Sequence, residues 1–257
     1  MLKADVHVHS DYSNDGVGSM RSYCERAVDL GLDIICFTDH VDSKKEIVRK
    51  NGRIDLKRYF DEIARLKDRY ANKGLKVLTG IEVAEPYDDP RQLEELNSMP
   101  FDFILGSVHY YWYSMNPNVV LDRSLMRTAR GWDVYWEEEI KLSECDGLDA
   151  LAHLDYPKRF ISERKIDYDA LRTIFENIIK KGCAIEINTS FIRKGGGEPL
   201  PSEEILAYYA QMGGTMVTIG SDAHYVSELY VDVEYSMRYM PKELTAGYFE
   251  NRKFYPL

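Results

Sequence analysis

Each of the six histidines in this chain stands where an apolar, strand-like run gives out. The first two fall together in Asp5-Val6-His7-Val8-His9. On a β-strand alternate side chains share a face, so Asp5, His7 and His9 would project together, opposite Val6 and Val8. Two imidazoles two residues apart on one rigid element can hold one metal ion. Neutral imidazole nitrogen suits Zn, Fe, Mn or Ni at roughly 2.0–2.2 Å. A lone His-x-His is a weak motif. What gives it weight is the placement of His40, His109, His153 and His224, since random placement would scatter some onto helices or solvent loops.

The hydrophobic pattern predicts strands over residues 1–9, 32–38, 75–81, 101–108, 148–152, 183–188 and 214–219. The second ends in Asp39-His40, the third in Glu82, the fourth in His109, and the fifth in His153 with Asp155 close behind. In the sixth, Glu186 and Asn188 alternate with Ile185 and Ile187. The last runs into Gly220-Ser221-Asp222-Ala223-His224. Helices are expected between them: Met20 to Leu30 with Ser19 as N-cap and Gly31 as stop, Asp55 to Ala71, and a short one after the loop from Glu85 to Pro90. Three more run from Ser124 to Glu144 (after the aromatic loop 110–113), from Tyr168 to Lys181 before Gly182, and from Pro201 to Met212 after the glycine turn 195–197.

Seven strands joined by segments long enough for right-handed crossovers make a parallel βα protein. No linker, low-complexity tract or break in composition divides the chain, so residues 1–257 read as one domain. A doubly wound sheet is the alternative, but it gathers only the strand ends near its switch point. Residues of metal-ligating type stand here at six strand ends spread over the whole chain. A closed barrel brings all of them to one mouth. An α/β fold, a (β/α) barrel of seven strands, is therefore expected.

A formal net charge of −10 and a pI near 5.2 argue against a nucleic-acid or anionic-membrane partner. They allow an anionic substrate, because bound divalent cations reverse the local field. Cys24, Cys36, Cys145 and Cys183 are far apart and form no C-x-x-C, as expected of free thiols in a reducing compartment. No basic-then-apolar leader precedes the first motif, and no apolar run approaches the ~20 residues needed to span a bilayer. The expectation is a cytoplasmic, unanchored protein, a monomer or small homo-oligomer.

Glu82, Asp222 and Asp15 add carboxylates to the six histidines, giving nine candidate ligands. That is too many for one ion in four- to six-fold coordination and suits two or three. Oxygen ligands mixed with imidazole fit Zn, Mn or Fe better than Ca or Mg. Metals about 3.5–4 Å apart can hold a hydroxide and clamp both attacking and leaving oxygens of a phosphoryl displacement. Phosphomonoesters need such a device most, since their spontaneous hydrolysis is among the slowest reactions enzymes accelerate.

His7-x-His9, Thr38-Asp39-His40, Gly80-Ile81-Glu82, Gly106-Ser107-Val108-His109, Ala152-His153-Leu154-Asp155 and Gly220-Ser221-Asp222-Ala223-His224 together resemble the PHP (polymerase and histidinol phosphatase) family, in order and along nearly the whole chain. Tyr135-Trp136-Glu137-Glu138, the run from His153 to Phe160, and Glu186-Ile187-Asn188-Thr189-Ser190 followed by Arg193 resemble its stand-alone histidinol-phosphatase branch.

The resemblance implies a distorted (β/α)7 barrel holding three divalent ions (Zn, Mn or Fe). By position, His7, His9, Glu82 and Asp222 would form one site. Glu82 would bridge to a second completed by His109 and His153, and Asp15, His40 and His224 would bind the third. Some relatives have histidine at the place of Asp15, and carboxylate is an acceptable ligand there.

The implied reaction is in-line attack of a metal-bridging hydroxide on a small phosphate ester, with Asp222, Glu82 and His224 as the catalytic group. L-histidinol phosphate would give L-histidinol and phosphate. Arg159 and Arg193 are candidate phosphate clamps, since guanidinium matches phosphate oxygens bidentately. Asp155 and Asn188 would support the ligands or contact substrate, and Glu85 and Asp88 are candidates for the substrate amino group. The leaving alkoxide would take its proton from Asp222 or from a metal-bound water. Alternatives are another small ester (nucleotide, bisphosphate or cyclic phosphate) and a non-catalytic metal-binding protein.

Overall fold

Strands that are apolar on both faces must be covered on both, and a sheet curled on itself with helices outside does this. The computed structural model describes residues 2–43, 53–110, 129–161 and 165–257. Its strands are β1 (Ala4–Val8), β2 (Ile34–Phe37), β3 (His40–Asp42), β4 (Lys76–Ala84), β5 (Phe103–Ser107), β6 (Ala150–Leu151), β7 (Ala184–Asn188), β8 (Met216–Gly220), β9 (Thr245–Glu250) and β10 (Lys253–Pro256). Seven of them fall on the seven expected runs and pair in parallel in the order β1-β2-β4-β5-β6-β7-β8. The two ends of that row meet just past their last residues. There His9 N donates to Ala223 O and Asp222 N donates to His7 O, both at 2.9 Å, around a parallel Val8–Ala223 bridge. The α/β fold expected is the one found, joined at the carboxyl end of its strands.

The helices follow the caps read from the sequence. α1 (Met20–Leu30) starts on the side chain of Ser19 and stops at Gly31, whose φ of 68° suits a residue without Cβ. α2 (Leu56–Ala71) starts on Asp55. α3 (Pro90–Asn97) and α4 (Ala129–Glu144) follow. α5 (Tyr168–Lys181) runs from Asp167 to Gly182. A single turn, α6 (Ser190–Arg193), precedes α7 (Glu203–Gln211), and α8 (Val233–Ser236) comes last. α7 is shorter than the helix expected from Pro201, because Ser202 caps it through Ile205 N. Residues 111–113 of the aromatic loop and 124–128 of the long helix lie outside the described residues.

Besides the short β3, an unexpected strand that pairs in parallel with β4 off the main row, two features depart from the expectation. The chain continues into an antiparallel β9–β10 hairpin, with β9 paired to the first half of β8. Tyr248 and Phe249 of that hairpin join Ala4, Val6, Cys36, Leu78, Phe103, Leu105, Ala150 and Ala184 in one buried cluster. Lys76–Glu250 (2.7 Å) and Arg252–Asp149 (2.6 Å) pin the hairpin beside the amino ends of β4 and β6, away from the histidines. The second departure is in β1, whose register against β2 shifts between Asp5 and Val8. An irregularity there breaks strict alternation. His7 and His9 remain together, but Asp5 turns to Ser221 N (2.9 Å) and Tyr230 N (2.8 Å) and so braces β1 against the segment that carries Asp222.

Candidate metal centre

Glu82, at the buried end of β4, is the hub on which the histidines converge. His7 and His9 present their Nε2 atoms 2.9 Å apart, and each lies 3.4 Å from Glu82 Oε2. Asp222 Oδ1 faces the same two nitrogens at 3.8 and 3.5 Å. On the other side, His109 and His153 bring their Nε2 atoms to 3.1 Å of one another and to 3.4 and 3.2 Å of Glu82 Oε1. His40 and His224 point Nε2 at the two oxygens of Asp15, at 3.6 and 3.5 Å. The rings of His40 and His224 flank that of His9, with centroids 4.2 and 4.3 Å from it. All nine expected ligands thus lie in one cluster at the carboxyl ends of the strands. It forms one wall of a cavity of about 780 Å³.

The donor set fits divalent cations. Paired imidazole nitrogens facing each other at hydrogen-bond distance are repulsive unless a proton or a cation lies between them. Glu82 Oε2 is buried and accepts no hydrogen bond from the described residues, although His40 Nδ1 lies 3.0 Å away without the alignment of one. A desolvated carboxylate oxygen left this way costs several kcal/mol unless a counter-charge meets it. Three triplets, His9/His40/His224, His7/His9/Glu82 and His40/Glu82/His109, each bring their ligand atoms within 4.8 Å of one another.

Burial pushes the Glu82 carboxyl up, but His109, His7 and His40 outweigh it and hold the group well below the usual range. Asp222 behaves alike, with Arg159 as the largest opposing influence. Burial and the neighbouring His40 and His224 press His9 well below the ordinary imidazole value, which keeps its ring neutral and able to ligate.

A layer of fixed acceptors stands behind the candidate ligands. Glu186 Oε1 accepts from His7 Nδ1 at 2.6 Å, and its Oε2 accepts from His153 N (2.9 Å) and Asn188 Nδ2 (3.1 Å). Its place on the inward face of β7 was legible from alternation, while its partners were not. Glu85, expected as a contact for substrate, is fully buried instead. Its Oε1 accepts from His109 N (2.6 Å) and Tyr110 N (2.7 Å) and fixes the turn carrying that histidine.

The residues expected at the substrate are distributed unevenly. Arg159 lines the cavity, with Nη2 on Asp222 Oδ2 at 2.7 Å, a second contact to Ser190 Oγ, and its guanidinium 4.7 Å from the Tyr156 ring centre. Arg193 also lines it but donates to the carbonyls of Ser221 (2.9 Å) and Asp222 (3.2 Å) and pairs with Glu228 (3.2 Å). Lys194, not singled out from the sequence, is exposed on the same wall. Asn188 is buried behind Arg159, its Oδ1 accepting from Ser190 N at 3.1 Å. Asp155 is buried away from the cavity and accepts from Ser202 N (3.1 Å) and Lys158 Nζ (3.2 Å).

The PHP domain family model matches residues 5–190. A probable histidinol-phosphatase of Thermotoga maritima is 30% identical over 93% of this chain and 91% of its own length. A histidinol-phosphatase of Lactococcus lactis subsp. lactis is 26% identical over 99% of this chain and 95% of its own. Among solved structures, a histidinol phosphate phosphatase of Lactococcus lactis, complexed with Zn, L-histidinol and phosphate, aligns with a TM-score of 0.79. The two are 23% identical, and the alignment covers 98% of each chain. A putative histidinol phosphatase of Listeria monocytogenes aligns with a TM-score of 0.73 at 20% identity, over 91% of this chain and 99% of the other.

Proposed function

The chain belongs to the PHP domain family, and from that premise we propose that it is a metal-dependent histidinol-phosphatase, hydrolysing L-histidinol phosphate to L-histidinol and phosphate. The observation that carries this reading is Glu82, whose Oε1 faces two imidazole nitrogens at 3.2–3.4 Å and whose Oε2 faces three at 3.0–3.4 Å, beside a cavity lined by Arg159. Residues 1–257 act as one catalytic domain in this reading. Among the described residues no helix is long and apolar enough to cross a membrane.

In this account three divalent ions, drawn from Zn, Mn and Fe, are held by the three sets brought together. His7, His9, Glu82 and Asp222 hold the first. Glu82, His109 and His153 hold the second, and Asp15, His40 and His224 the third. Bound there, such ions supply Lewis acidity and an activated water.

The chain's own residues do the rest. Arg159 can turn a guanidinium edge to the phosphoryl oxygens, and Lys194 adds a second positive charge on that wall. Arg193 holds the Ser221–Asp222 backbone in place rather than pointing its fork into the open cavity. Asp222, kept ionised by Arg159, faces the histidines with Oδ1 and the guanidinium with Oδ2. A carboxylate so placed can take the proton of the attacking water and return it to the departing alkoxide.

The test is phosphate release from a panel of L-histidinol phosphate, nucleoside monophosphates, sugar bisphosphates and a cyclic phosphate, with Zn or Mn added. L-histidinol phosphate should show the highest kcat/KM. A higher kcat/KM on another ester would move the substrate and leave the chemistry.

A further inference from the structure

We propose that Ser13 is a positioning residue of the metal centre: its hydroxyl, anchored by Asp39, holds His9 with the proton on Nδ1 and so turns the Nε2 lone pair toward the ions. The inference rests on the metal-centre reading above and goes beyond it by giving a role to a residue outside the nine ligands.

The hydrogen bonds around Ser13 leave one consistent arrangement. Asp39, fully buried after β2, accepts on Oδ1 from Ser10 N (2.7 Å), Ser13 N (3.0 Å) and Ser13 Oγ (2.7 Å), and on Oδ2 from Ser10 Oγ (2.9 Å). The single hydroxyl proton of Ser13 is therefore committed to Asp39. A proton on Asp39 itself would not release it. Oδ1 already takes two backbone N–H groups, so that proton would sit on Oδ2.

Ser13 Oγ also receives the backbone N–H of His40 at 3.1 Å. Toward His9 Nδ1, 3.3 Å away, it has only a lone pair to offer. An imidazole nitrogen bonds a lone pair only when it carries hydrogen. His9 is thus held as the Nδ1–H tautomer, and its free Nε2 lies among His7 Nε2, Glu82 Oε2 and Asp222 Oδ1.

The same oxygen serves ligands of two sites. His9 belongs to the first set, while His40 belongs to the third, as does Asp15, two residues beyond Ser13 in the same loop. Glu186 does for His7 what Ser13 does for His9, with a carboxylate in place of a hydroxyl. Buried acceptors behind metal-bound histidines fix ring orientation and tautomer, and their removal commonly weakens metal binding 10- to 100-fold.

Zinc binding is the probe. Wild type and Ser13→Ala are stripped of metal, titrated with zinc against a competing chelator, and their bound metal counted. Ser13→Ala should bind zinc at least 10-fold more weakly and lose part of its metal content, and Ser13→Thr should restore both. Thermal unfolding of the stripped proteins checks that Ser13→Ala still folds. In parallel, ¹⁵N-histidine NMR of the zinc-loaded wild type should show the His9 proton on Nδ1, a result that needs no variant. Wild-type affinity and stoichiometry in a folded Ser13→Ala, or a His9 proton on Nε2, would overturn the proposal. A wild type that takes up no zinc would sink the metal-centre reading, and the role of Ser13 with it.

Discussion

His7 donates its Nδ1–H to Glu186 Oε1 at 2.6 Å across the bare backbone of Gly220. A Cβ at residue 220 would lie 2.3 Å from His7 Cβ and 2.6 Å from Glu186 Oε1, so β8 can pass between them only as glycine. Gly220→Ala should separate the pair and weaken zinc binding about 10- to 100-fold. Glu186→Gln keeps an acceptor but removes the charge and should lie between Gly220→Ala and wild type. Chelator competition measures both, and an unchanged Gly220→Ala would show that this contact does not orient His7.

Asp222→Asn should lower kcat by at least ~100-fold, since the substitution removes the charge of a proposed metal ligand and of the partner of Arg159. Metal content measured on the same sample separates ion loss from proton transfer. Near-wild-type turnover would mean that the first site is misassigned.

Arg159 lies between Asp222 and the open cavity. Arg159→Ala should raise KM and lower kcat together, because it removes the proposed phosphate contact and also leaves Asp222 without the guanidinium beside it. Arg159→Lys keeps the charge without the fork and should recover only part of the loss. Steady-state kinetics on L-histidinol phosphate decides, and a change confined to kcat would remove Arg159 from substrate binding.

Glu139 on α4 is fully buried, and burial, with Glu85 and Glu138 nearby, pushes its carboxyl from the ordinary 4.5 up to about 8. Between these values the unfolded chain has released the proton and the folded chain still holds it. Stability therefore falls as pH rises through that window, by about 1.4 kcal/mol per pH unit from this group alone. Glu139→Gln should be no more stable than wild type below pH 4.5 and should gain steadily on it up to about pH 8. Denaturant unfolding at several pH values measures the difference, and parallel curves would show that Glu139 folds as the anion.

The candidate ligands other than Asp15 were legible because they stand at or near strand ends: an apolar run states where the strand is, and the polar residues at its close mark the carboxyl end of the sheet. Asp5 was misdirected for a local reason, since the register shift in β1 breaks the period of two that placed it with His7. The supporting contacts were illegible in a stronger sense. That Glu85 holds the His109 turn, that Arg193 grips Ser221 and Asp222, and that Asn188 backs Arg159 depend on partners 24 to 29 residues away, chosen only by packing. The β9–β10 hairpin lies beyond the last histidine and carries no candidate ligand, so only its aromatic residues, Tyr248-Phe249 and Phe254-Tyr255, mark it in the sequence.

The most direct measurement is phosphate release from L-histidinol phosphate by protein stripped of metal and then reloaded, with bound metal counted on the same sample. The expected result is no release when stripped, recovery on addition of Zn or Mn, and full activity as the three sets fill. Protein that carries its full complement of ions and still releases no phosphate from L-histidinol phosphate or any other ester would contradict the account.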